Sequence, residues 1–217
     1  MLNLKTERTL CSILIAGKTG AGKSVLLNAM FGEKARANVG KPVTADIVRY
    51  DMYPTHLLTV FDTPGLRTFR ETNLEIQQHI HGLIKHLSKR SDQRIHAVWY
   101  CISARGKRIE DSEITWIHKL ADEGIAVILV LTQFLRKADD DLLTYVEKMD
   151  LPVCEIVPVL AAPFEIPGGI IVRSHGLDQL AHATARVLPE AARTVFIKAQ
   201  LADQELKRSP HTEADCD

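Results

Sequence analysis

The sequence carries no surplus charge: 27 Lys and Arg stand against 27 Asp and Glu. A chain balanced in this way has no global attraction to nucleic acid or to an acidic membrane surface. No stretch comes near the ~20 consecutive apolar residues of a membrane-spanning helix. The opening, Met1-Leu2-Asn3-Leu4-Lys5-Thr6-Glu7-Arg8, lacks the long apolar core of a signal peptide, and the expected location is cytoplasmic. Cysteines are few, four in all. Cys11, Cys101 and Cys154 fall in apolar, strand-like runs, and Cys216 falls in the tail. Their spacing is neither a disulfide framework nor a metal-ligand pattern, so reduced, buried thiols are expected. Internal repeats, low-complexity segments and interdomain linkers are also lacking. With 217 residues and ordinary apolar and charged content, the chain is long enough for one well-buried domain.

What is present is a phosphate motif. Gly17 to Ser24 read Gly-Lys-Thr-Gly-Ala-Gly-Lys-Ser, which fits GxxxxGK[ST]. The apolar run Leu10–Ala16 precedes it and an apolar helix, Lys23–Phe31, follows. A phosphate loop needs this strand–loop–helix setting. Its glycines let backbone amides wrap a chain of phosphates. Lys18, Thr19, Gly20, Ala21, Gly22, Lys23, Ser24 and Val25 form the expected nucleotide contact. Lys23 supplies charge to the terminal phosphates and Ser24 a hydroxyl to Mg²⁺. The helix beginning near Lys23 turns its positive dipole end toward the same anion.

Strand and helix signals then alternate. Ile47–Met52 and Leu57–Phe61 read as strands joined by the turn Tyr53-Pro54-Thr55. Asn73–Leu87 has helical spacing, Ala97–Ile102 reads as a buried strand, and Glu110–Asp122 reads as a helix. Ile125–Leu131 is nearly continuous in apolar residues, as a central parallel strand covered on both faces would be. Asp139–Met149 is helical, Cys154–Val159 a strand, and Gly176–Leu188 a further helix. The pattern predicts an α/β fold: a three-layer α/β/α sandwich around a mostly parallel sheet, with one antiparallel edge strand.

A second motif, Asp62-Thr63-Pro64-Gly65, ends the strand Leu57–Phe61. Ligands of doubly wound sheets gather at the carboxyl ends of strands. Asp62 is therefore placed to reach Mg²⁺ through water, and the Gly65 amide to reach a terminal phosphate. Between the motifs, Gly40-Lys41-Pro42-Val43-Thr44-Ala45-Asp46 has the composition of a loop. Thr44 is the candidate there for a switch contact to Mg²⁺ and the terminal phosphate; the alternative is a cap or pairing residue for the following strand. Ser24, Thr44 and Asp62 make up the expected metal set. Lys23, Thr44 and Gly65 are the expected catalytic groups.

On these residues the chain resembles the translation-factor-related P-loop GTPases, and within them the Era/TrmE-like branch of ribosome-binding or dynamin-related small GTPases. The resemblance runs from about Leu10 to Leu188. It implies GTP and GDP as ligands with Mg²⁺, slow hydrolysis of GTP, and action as a molecular switch. It also implies that two later strand ends read guanine: Thr132-Gln133-Phe134-Leu135 and Pro158-Val159-Leu160-Ala161. Thr132, Gln133, Leu160 and Ala161 are its base-site residues.

The match is incomplete at the base. The family pattern has Lys and Asp where this chain has Gln133 and Leu135, and a leucine cannot accept hydrogen bonds from guanine's nitrogens. Asp139, Asp140 and Asp141 follow; one could enter the site through a shifted loop, but they read more simply as the capped start of the next helix. Leu66 stands where some GTPases carry a water-orienting glutamine. Gly20 stands where some relatives carry an asparagine that helps hold potassium. Arg67 and Arg70 are candidate cations beside the switch. Such a site is expected to hydrolyse with help from a nucleotide-dependent homodimer or a protein partner. Two alternatives stay open: a nucleotide-binding module with little or no hydrolysis, and an ATP-specific hydrolase.

The remaining features have plainer readings. His79, His81 and His86 share a helix but no common face. Trp99 and Trp116 fall on core positions. Ala162–Ser174 reads as a loop skirting the base site or as a surface connection. Residues 1–188 make up the expected GTPase domain, 189–208 an amphipathic helix and 209–217 a disordered tail. Its stripe, Ala192, Val195, Phe196, Ala199, Ala202 and Leu206, is expected to pack back on the domain, with coupling to a partner as the alternative. The chain is either a minimal form or part of a larger protein.

Overall fold

Burial decides the centre of the sheet. Strand β1, Cys11–Gly17, is buried at every position, as its unbroken apolar run requires when helices cover both faces. The computed structural model describes residues 10–32, 41–42, 47–52, 56–65, 70–89 and 94–208, with the backbone alone at 41–42, 70–73 and 201–208. β1 lies between β4 (Leu58–Asp62) and β5 (Ala97–Ser103), parallel to both. β6 (Ala126–Thr132) and β7 (Glu155–Val159) continue the parallel array on one side. On the other side β3 (Val48–Asp51) runs antiparallel to β4. A two-residue strand, β2 (Lys41–Pro42), pairs antiparallel with β3 at the outer edge. The order is β2-β3-β4-β1-β5-β6-β7.

The strands' alternate residues feed two cores. Ile13, Ile15, Trp99 and Cys101 face helices α1 (Lys23–Phe31), α5 (Leu177–Val187) and α6 (Glu190–Arg208). Leu14, Ala16, Val98 and Tyr100 face α2 (Arg70–Ser88), α3 (Asp111–Asp122) and α4 (Asp140–Glu147). Both tryptophans are core residues, as expected, and Trp99 Nε1 donates to Thr184 Oγ1 at 3.0 Å. In α6, Ala192, Val195, Phe196 and Ala199 are buried. Phe196 meets Phe31 edge-on at 6.3 Å, and Gln200 Nε2 donates to the Met30 carbonyl. This half of the apolar stripe lies against α1.

Three expectations change. Ala162–Ser174 is not plain loop: it holds a hairpin of β8 (Phe164–Ile166) and β9 (Ile170–Val172) turning at Gly168-Gly169. Part of the segment Gly40–Asp46, Lys41–Pro42, is strand. Cys154 is exposed, because it precedes the first residue of β7 and escapes the burial of Cys11 and Cys101. The turn at Tyr53–Thr55, Cys216 and the tail 209–217 lie outside the described residues.

Candidate nucleotide site

The site lies at the carboxyl ends of β1, β4, β5, β6 and β7. At its phosphate end the chain leaves β1 at Gly17 and enters α1 at Lys23. Gly22 is the N-cap of α1 with φ of 74°, left-handed backbone that suits glycine. Lys23 is buried, and its Nζ donates to the Gly17 and Lys18 carbonyls, both at 3.1 Å. The ammonium thus closes the loop on itself. Burial holds its pKa below the ordinary lysine value, partly offset by nearby Cys101 and Asp62. Ser24 and Val25 are exposed in the first turn of α1, where helix amides have no partners within the helix.

The second motif presses against this loop. Thr63 donates through Oγ1 and through its amide to the Ile15 carbonyl, at 2.9 and 3.2 Å. This pins the end of β4 to β1. Gly65 sits against Thr19: a β-carbon at position 65 would come within 2.3 Å of the Thr19 backbone nitrogen. Only glycine fits so close an approach. Thr19 Oγ1 donates to the Gly65 carbonyl at 3.2 Å. Lys18 turns away toward α3, 2.5 Å from Glu110 and 3.4 Å from Glu113. Those two glutamates form the capping box that starts α3.

At the base end, Thr132 joins the two halves. Its hydroxyl is shared between the Ala21 carbonyl at 2.7 Å and the Ile102 carbonyl at 3.1 Å. Gln133 follows with a positive φ of 55°, and Ser103 Oγ donates to its Oε1 at 2.9 Å. A cavity of about 160 Å³ opens here. Gly22, Val25, Thr132, Gln133, Leu160 and Ala161 line it together, so the base-site residues expected from sequence meet the phosphate loop in space. Leu135 also lines it.

Asp139 does not enter this cavity. It is buried, its Oδ2 accepts from the Leu135 amide at 2.7 Å, and its amide donates back to the Leu135 carbonyl. It occupies the N-cap of α4 without a side-chain bond to that helix. The carboxylate braces its own loop instead. Thr44, Leu66 and Arg67 lie outside the described residues, and Arg70 is described only as the first backbone position of α2.

One lining residue escaped the sequence reading, Arg105, in the short 3-10 turn Ala104–Gly106 after β5, whereas Phe164 of β8 belongs to the segment Ala162–Ser174 expected to skirt the base site. The Arg105 guanidinium carbon stands 4.7 Å from the Phe164 ring centre. No spacing rule links residues so far apart, and only the topology brings them together.

Comparison with known proteins agrees with this geometry. Residues 12–133 match the family described as 50S ribosome-binding GTPase. A probable GTP-binding protein EngB from Pyrococcus horikoshii is 27% identical over 160 residues, 73% of this chain and 70% of that protein. A GTPase Era from Stenotrophomonas maltophilia is 25% identical over 185 residues, 83% of this chain; the match spans 56% of that protein. Among solved structures, a probable GTP-binding protein EngB superposes with a TM-score of 0.58 at 17% identity, over 82% of this chain and 98% of that one. An Era from Aquifex aeolicus gives 0.55 at 21% identity, over 85% and 58%. At such identities the structural likeness speaks for the fold.

Proposed function

The chain belongs to the 50S ribosome-binding GTPase family, and from that premise we propose a Mg²⁺-dependent GTPase switch whose unaided hydrolysis is slow. The observation that carries this reading is the packing of Gly65 onto Thr19. It brings the end of β4 to the mouth of the phosphate loop, where a terminal phosphate would lie between the two motifs.

The roles follow from position. Lys23 donates to the terminal phosphates, exchanging the loop carbonyls it now holds for phosphate oxygens. The exposed amides at the start of α1 face the same anion. The Gly65 amide is a contact that exists only while the terminal phosphate does, which suits a switch. Ser24 and Asp62 suit a hard cation, being a hydroxyl and a carboxylate at neighbouring strand and helix ends. Bound there with Thr44, Mg²⁺ would neutralise charge on the phosphates. Thr132, Gln133, Leu160 and Ala161 hold the base. We take α6 as one body with the GTPase domain, since its apolar stripe packs on α1.

Titration of the purified protein with GTP, GDP and ATP tests the reading. Lys23→Ala should abolish binding and Ser24→Ala should remove the Mg²⁺ dependence. Unchanged affinity in the Lys23→Ala protein would sink the assignment. GTP should be preferred to ATP, but by less than the ~10⁴–10⁵-fold that a site built around specific hydrogen bonds achieves. With Leu66 in the water-orienting place, the monomer should turn over at about 10⁻⁴–10⁻² s⁻¹. If a GTP-dependent homodimer supplies the missing group, specific activity rises with protein concentration. A flat profile with monomeric mass in a GTP analogue would assign the help to another protein instead.

A further inference from the structure

The described side chains that line the base cavity offer donors and no carboxylate. Leu135 stands where an acceptor would be needed, and the carboxylate nearest in sequence, Asp139, is bonded to the Leu135 amide. The acceptor oxygen of Gln133 is occupied by Ser103, so the side-chain amide presents its Nε2 hydrogens instead. That nitrogen lies 3.7 Å from where a β-carbon on Gly22 would be, at the junction of cavity and phosphate loop. Thr132 spends its hydroxyl hydrogen on the Ala21 and Ile102 carbonyls. The other polar side chain at the rim is Arg105, a planar fork of donors with no acceptor. Phe164 holds it in place by a cation–π contact.

Purines differ on the edge such donors meet. A 6-oxopurine shows two acceptors, O6 and N7. Adenine shows N7 beside an N6 donor, which opposes a guanidinium. The edge that separates guanine from hypoxanthine is the other one, where the 2-amino group and N1–H ask for an acceptor. Among the described lining residues no carboxylate side chain meets that edge.

We propose that this pocket reads the O6/N7 side of a 6-oxopurine through Arg105, with Gln133 adding a second donor, and leaves the 2-position unread. The ligand class is then 6-oxopurine nucleoside triphosphates, with inosine triphosphate accepted about as well as GTP. The inference rests on the GTPase reading of the phosphate end and adds Arg105 as a specificity-determining residue.

Equilibrium titration of the full chain with GTP, ITP and ATP in the presence of Mg²⁺ tests it. In the natural protein GTP and ITP should bind within about 3-fold of each other, since no hydrogen bond to the 2-amino group is made. GTP should exceed ATP by about 5- to 150-fold, the range of one good bidentate arginine contact. Arg105→Ala should collapse the GTP-to-ATP ratio while ATP affinity stays within about 3-fold of the natural protein's. A merely structural role would weaken all three nucleotides alike and leave the ratio unchanged, and that result would overturn the proposal. Leu135→Asp should restore discrimination, favouring GTP over ITP by about 10-fold or more. A natural protein that already prefers GTP to ITP by more than about 10-fold would also overturn it. Equal binding of all three nucleotides would overturn this inference alone. Failure of every triphosphate to bind would overturn it together with the reading beneath it.

Discussion

At the phosphate end, a β-carbon on Gly65 would come within 2.3 Å of the Thr19 backbone; where the phosphate loop meets the base loop, a β-carbon on Gly22 would meet nothing nearer than 3.6 Å. The first would press a side-chain carbon against the Thr19 backbone, and no side-chain substitution elsewhere can relieve that. The second is an ordinary van der Waals distance to the side chain of Thr132. Phosphates are the same in every nucleotide, so the groups that bind them are backbone amides, a lysine and a helix end, all fixed by local chain geometry. Bases differ, so the groups that bind them are side chains, and side chains can change while the fold persists. Gln133 and Leu135 are such changes, on a loop whose hydrogen bonds to Val159 and Asp139 are backbone or bracing contacts.

This contrast breaks most visibly under Gly65→Ala. The added methyl must push Thr19 or the segment after Asp62 aside, an overpacking that costs about 1–3 kcal/mol. The displaced loop also loses its shape around the phosphates, so GTP affinity should fall with stability, by about 10-fold or more. Urea unfolding and nucleotide titration on the same preparation check both. Loss of neither would mean that the two motifs are not held in register by this contact. The counterpart at the base end, Leu135→Asp, is expected to change nucleotide choice with a stability change within about 0.5 kcal/mol, as for a partly exposed position.

Thr132→Val probes the joint between the ends. The valine keeps the shape but removes the hydroxyl that serves Ala21 and Ile102, leaving buried carbonyls without that donor, at a cost of about 1–2 kcal/mol. GTP and ATP should weaken together, because the joint positions the phosphate loop and the base loop alike. A change confined to the ratio of the two would give Thr132 no part in positioning the phosphate loop.

The same contrast explains what was legible in the sequence. Gly17–Ser24 and Asp62–Gly65 are short, contiguous and dictated by backbone geometry, so they are readable as motifs, and with them the strands they end. The parallel core was equally plain, because Val127 to Leu131 and Val98 to Ile102 are unbroken apolar runs. Arg105 carried no signal, since only the fold brings it to Phe164, 59 positions away, at the same cavity. The β8–β9 hairpin hid behind Pro167, Gly168 and Gly169, which mark a loop, although Ile170-Ile171-Val172 had strand character. Cys154 was misjudged by the apolar neighbours in its run, when its place just ahead of β7 decides its exposure. Asp139 was readable as the start of α4, but its bond to the Leu135 amide depends on the loop's path.

The smallest effect expected concerns Lys18, whose side chain ties the phosphate loop to α3. Glu113 is buried, and burial raises its carboxyl pKa above the ordinary value; the Glu110 amide and Lys18 oppose that rise. With its native pKa above the unfolded one, Glu113 binds more protons folded than unfolded. Its contribution to stability is therefore greatest at low pH, and it declines as pH climbs from the unfolded pKa near 4.5 through the native value. Lys18→Ala removes one of the opposing influences, so the native pKa rises further and the decline deepens. The variant should match the natural protein near pH 4 and fall behind it by about 1 kcal/mol at pH 7, an amount kept small by the exposed Glu110 that shares the lysine. Urea unfolding of both proteins at the two pH values measures the difference. A deficit equal at both would mean that Lys18 acts by packing alone. A deficit that deepens with pH and leaves GTP affinity intact would show that the phosphate end keeps its shape through Gly65 and Thr63 and needs no help from this ion pair.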